Sequence, residues 1–83
     1  MSRYFIHLYN GTGETRDEQG SEVADLAAAE MLAVDGVRSI LSEEVRRGTL
    51  DLRGRAEIAD QDGRVVQTVR FSETVRICEE KKE

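Results

Sequence analysis

Few side chains in this 83-residue chain are equipped for chemistry: His7, Cys78, five carboxylates between positions 14 and 25, and arginines clustered after position 46. His7 is the single histidine, so no two-histidine metal set can form. A nucleophilic triad needs a serine on a sharp strand-to-helix turn, and no serine here has that setting. Beside Phe5 and Tyr9 on a strand, His7 reads as a packed, hydrogen-bonded residue. Cys78 stands next to Glu79 and Glu80, a poor setting for a nucleophilic thiol, and reads as inert.

The carboxylates of Glu14, Asp17, Glu18, Glu22 and Asp25 do not fit a calcium loop. With Gly20 as its sixth position, Leu26 falls where a bidentate glutamate is required. Gly11-Thr12-Gly13 has the start of a phosphate loop, but Arg16 replaces the third glycine of a dinucleotide fingerprint, and no Gly-Lys-Ser/Thr ending follows. A hairpin loop and a solvated acidic stretch account for both segments. No cofactor or metal is expected.

Charge is unevenly spread. Residues 46–76 hold seven basic and five acidic side chains, net +2, while residues 10–45 hold two and nine, net −7. Arg53, Arg55, Arg64 and Arg70 are candidates for a basic patch on a hairpin face. With aromatic residues nearby, such a patch has elements of single-stranded RNA recognition. Against it stand the overall charge of −5 and the ordinary pairing of Arg with Glu across strands. A nucleic-acid partner is therefore disfavoured.

Positioning these residues falls to a few elements. Arg3 to Tyr9 alternates Tyr4, Ile6 and Leu8 with Phe5, His7 and Tyr9, bulky on both faces of a strand. Asn10-Gly11 makes a turn, and a short strand over residues 14–17 is expected to pair back. A helix is predicted from Asp25 to Arg47, capped by Asp25 or Ser21 and stopped at Gly48. At 1.5 Å per residue it is about 33 Å long.

One stripe of this helix holds Leu26, Ala29, Ala33, Gly36, Val37 and Ile40, small enough for close approach to a sheet; such packing is the expected reason for Gly36. A second stripe, Ala27, Met31, Val34, Arg38, Leu41 and Val45, is spaced like a heptad seam. Residues 50–58 alternate cleanly with period two. Asp60-Gln61-Asp62-Gly63 closes a hairpin onto residues 64–71, where the adjacent Val65 and Val66 leave the register open. Residues 72–77 form one turn or a strand end, and residues 78–83 a charged tail.

The landmarks Arg3-Tyr4-Phe5-Ile6-His7, Asp17-Glu18-Gln19-Gly20, Asp25-Leu26-Ala27-Ala28-Ala29, Leu50-Asp51-Leu52-Arg53-Gly54-Arg55 and Asp62-Gly63-Arg64-Val65-Val66, with Phe71 before Val75, follow in order. This arrangement resembles a family of short bacterial proteins known only as a domain of unknown function. The resemblance implies a stand-alone cytoplasmic domain and carries no catalytic residues with it.

The expectation is one α+β domain over residues 1–77: an antiparallel sheet of three to four strands in ββαββ order, with one long helix on a face. No apolar run reaches the roughly 20 residues of a membrane span. The opening residues lack a signal region, and a lone cysteine fits a reducing cytoplasm. The expected function is a non-enzymatic interaction module, self-associating or binding a protein partner through Ala27, Met31, Val34, Leu41, Val45, Phe5 and Tyr9. RNA binding by the four arginines is the alternative.

Overall fold

Aromatic and β-branched side chains open the chain, and Ser2–Asn10 forms the first strand, β1. Tyr4, Ile6 and Leu8 pack toward the core, which places Phe5, His7 and Tyr9 on the opposite face. The computed structural model describes residues 1–11 and 13–80. Thr12, inside the Gly11-Thr12-Gly13 loop, and residues 81–83 of the charged tail lie outside the described residues.

β1 is paired along both edges. On one side, β2 (Gly13–Thr15) runs against its C-terminal half, from Leu8↔Thr15 to Asn10↔Gly13. β3 (Ser21–Val23) runs against its N-terminal half, from Ser2↔Val23 to Tyr4↔Ser21. On the other side β1 pairs with β4 (Arg55–Ala59), and β5 (Val65–Arg70) flanks β4. All pairings are antiparallel, and the order is β2-β1-β4-β5 with β3 beside β1. The sheet thus has five strands in βββαββ order, one more than expected, and the expected strand over 14–17 is shifted to Gly13–Thr15.

The helix α1 (Leu26–Arg46) lies across one face of the sheet. Asp25 caps its start by accepting from the Ala28 N–H at 2.9 Å. At its end Gly48, with φ 94°, lets Thr49 N–H return to the Glu44 carbonyl at 3.0 Å. Ala29, Ala33, Val37 and Leu41 are buried against Ala56, Ile58, Val69 and Phe71. Three of the four helical residues are no larger than valine, so the helix sits low on the sheet.

Gly36 is not part of this contact. A Cβ added there would meet nothing within 4 Å, so close packing does not explain it. The glycine that allows close approach is Gly54. A Cβ on it would fall 2.5 Å from the Tyr9 carbonyl oxygen and 2.7 Å from the Phe71 ring.

The alternation over residues 50–58 becomes strand only from Arg55. Before it, the Asp51 carboxylate accepts from the Arg53 N–H at 3.1 Å, a local bond that takes the place of a strand-pairing partner. The hairpin forms as expected: Asp60 Oδ1 accepts from the N–H groups of Asp62 (2.9 Å) and Arg64 (3.0 Å), with Gly63 at φ 84°. A bulge between Ile58 and Ala59 settles the open register, and it leaves both Val65 and Val66 exposed while Val69 turns inward.

After β5 the chain makes a 3-10 turn, Phe71–Glu73, and Phe71 is fully buried. Arg38 Nε donates to the Thr74 carbonyl at 2.7 Å, and Val75 packs on the core. Among the described residues no helix is long and apolar enough to cross a membrane.

Candidate functional site

The gap between β2 and β3 along the edge of β1 is filled by the loop of residues 16–20. Its Asp17 carboxylate stands in for a missing strand. Oδ2 accepts from the Ile6 N–H at 3.1 Å, and Oδ1 accepts from Gly20 (2.9 Å) and Gln19 (3.3 Å). The Asp17 N–H in turn donates to His7 Nδ1 at 3.0 Å. Burial pushes the Asp17 carboxyl up, but the N–H groups of Gly20, Ile6 and Gln19, with His7 nearby, hold it below its ordinary value of 3.8.

His7 is buried with its Nδ1 committed to the backbone, so it is a clasp for the loop, as a packed strand histidine should be. Sequence reading placed Asp17 only in a solvated acidic stretch and missed this role. Its signal was the Asp17-Glu18-Gln19-Gly20 run, a carboxylate followed at i+3 by glycine, here at φ 72°. Among the described residues no three His, Cys, Asp or Glu side chains gather as a metal-binding group.

The seven candidate interface residues do not lie on one surface. Ala27, Met31, Val34 and Val45 follow one flank of α1, whereas Phe5 and Tyr9 sit on the far face of the sheet. Leu41 is only 3% exposed and belongs to the core, and Val34 is half-buried against it. Arg38, the polar break in the seam, is drawn to the Thr74 carbonyl. Phe5 lies under Gly20, and Tyr9 lies under the Arg55 guanidinium, 4.4 Å from its ring centroid. What remains open is Met31, 75% exposed, with Ala27 and Val45 also exposed. An open groove of about 600 Å³ surrounds Met31, bordered by Ala27, Glu30, Leu32, Val34, Asp35 and Arg38.

Three of the four candidate arginines come together. Arg55 and Arg70 are directly opposite on β4 and β5, and Arg53 borders the same cleft. Arg64 does not join them: it stands by the hairpin turn, at the other end of these strands. Arg53 grips Asp51 through Nε–Oδ1 at 2.9 Å and Nη2–Oδ2 at 3.0 Å. Those hydrogen bonds hold the Asp51 carboxyl below its ordinary 3.8 and raise the Arg53 guanidinium further. Arg55 Nε meets Glu57 Oε2 at 3.0 Å. Exposed pairs of this kind add little stability, and their main effect here is to orient the guanidinium groups.

The family model described as Domain of unknown function (DUF6894) matches residues 3–72, and the chain belongs to that family. No curated protein and no solved structure matches the chain.

Proposed function

We propose that this family member is a non-enzymatic interaction module that pairs with a second copy of itself through the outer flank of α1. The observation that carries the reading is Met31, a large apolar side chain 75% exposed in the middle of a groove, on a helix whose other face is well buried.

The flank is self-complementary in spacing. Met31 and Val45 are each seven residues from Arg38, so a twofold axis near Arg38 sets Met31 of one copy against Val45 of the other. The same antiparallel arrangement also opposes the two helix dipoles. A hetero-partner would have to supply both features from elsewhere.

Sedimentation equilibrium tests this directly. The wild type is expected to form a concentration-dependent dimer and Met31→Glu a folded monomer with native circular dichroism. A wild type that stays monomeric at high micromolar concentration overturns the reading.

A further inference from the structure

Arg55 and Arg70 face each other across β4 and β5 in a position that ordinary strand pairing disfavours. The Phe71 N–H bonds the Gly54 carbonyl at 2.9 Å, and the pattern alternates from there, so Arg55 and Arg70 form a non-hydrogen-bonded pair. Side chains are closest at such pairs, and like charges placed there repel. The Arg70 N–H, pointing away from β4, is taken by Glu73 Oε1 at 2.8 Å. Arg55 and Arg53 have carboxylate partners, but among the described residues the Arg70 guanidinium has none within 4.0 Å.

Between them lies a cleft of about 400 Å³, lined by Arg53, Arg55 and Arg70, the hydroxyl-bearing Thr68 and Ser72, and the backbone of Gly54. A second hollow, with Tyr9 on its wall, shares Arg53 and Arg55 with it. The Tyr9 ring and the Glu57 carboxylate fix the Arg55 guanidinium before any ligand arrives.

We propose that this cleft binds a phosphate group, held between the Arg55 and Arg70 guanidiniums with hydroxyl donors from Thr68 and Ser72. A dianionic tetrahedral oxyanion uses the forked donors of two arginines at once. A carboxylate would leave donors unused. The cleft is small and the overall charge is −5, which favours a discrete phosphate over a nucleic-acid backbone.

The test is a titration of the 15N-labelled protein with inorganic phosphate against chloride of matched ionic strength, read by amide and arginine Nε–H shifts. Saturable shifts are expected at Arg55, Thr68, Arg70 and Ser72. Arg70→Gln should weaken binding at least tenfold, and Arg64→Gln should leave it unchanged. Phosphate should raise the melting temperature of the wild type and leave that of Arg70→Gln unchanged. Single-stranded oligouridylate in a second arm distinguishes the source of the phosphate: affinity per phosphate like that of the free ion fits a small ligand. Much tighter, steeply salt-dependent binding that Arg64→Gln also weakens would overturn the discrete site. Shifts equal to those in chloride, or undiminished in Arg70→Gln, would overturn it as well.

Discussion

The backbone N–H of Asp17 donates to Nδ1 of His7 at 3.0 Å, while the Asp17 carboxylate accepts from the N–H of Ile6, the residue before that histidine. Asp17 thereby gives its backbone N–H to the His7 side chain and takes the backbone N–H of Ile6 on its own side chain. These bonds close the edge of β1 over the stretch that neither β2 nor β3 covers.

Asp17→Ala should therefore destabilise more than a surface substitution does. It leaves the Ile6, Gly20 and Gln19 N–H groups without their acceptor, at a cost of about 1–3 kcal/mol. Urea denaturation measures this, and Glu18→Ala, on an exposed neighbour, serves as the control and should change stability by less than about 0.5 kcal/mol.

The same carboxylate sets an acid limit. Its value in the fold lies below the ordinary 3.8, so the unfolded chain binds the proton more readily. The stability it contributes is complete above 3.8 and is lost as pH falls through the lower folded value. Asp17→Asn should flatten the fall of stability below pH 3.8 relative to the wild type, as followed by circular dichroism. An unchanged acid profile would show that the Asp17 charge does not matter to the fold.

His7 acts through an acceptor at Nδ1, a position that the side-chain oxygen of asparagine can approximate. His7→Asn should retain more stability than His7→Leu, which buries the Asp17 N–H against a side chain that cannot accept, at about 1–3 kcal/mol. Amide exchange at Asp17 should be slower in the first variant than in the second.

Two glycines respond in opposite directions to alanine. Gly36→Ala places a methyl in open space within a helix and should stabilise by about 0.5–1 kcal/mol. Gly54→Ala drives a Cβ into the Tyr9 carbonyl and the Phe71 ring, and should destabilise by about 1–3 kcal/mol or more. Thermal melts of the two variants separate the effects.

On the α1 flank, Val45→Glu should reproduce the monomerising effect of Met31→Glu, because the twofold pairing sets each against the other. Val34→Glu and Leu41→Glu should instead unfold the chain, as those side chains contact or belong to the core. Gel filtration with light scattering, alongside circular dichroism, distinguishes loss of association from loss of fold.

Local patterns were enough for the helix and its Gly48 stop, the alternation along β1 and the turn at 60–63, while the choice of Asp25 over Ser21 as the cap came with the fold. Those patterns depend on residues within a few positions of one another: a period of 3.6 or 2, a glycine at positive φ. What local pattern left open needed partners distant in the chain. β3 has only three residues and exists because β1 offers it an edge. Leu50 and Leu52 alternate like a strand, yet pairing begins only at Arg55, and the Arg53 N–H bonds the Asp51 carboxylate instead of a neighbouring strand. The heptad-like seam was legible as a stripe, but only the fold assigned Leu41 to the core and left Met31 outside. The arginines divided for the same reason. A bulge and a turn set the β4–β5 register, bringing Arg70 opposite Arg55 and leaving Arg64 at the far end, because spacing along a strand says nothing about which residue of the next strand stands opposite.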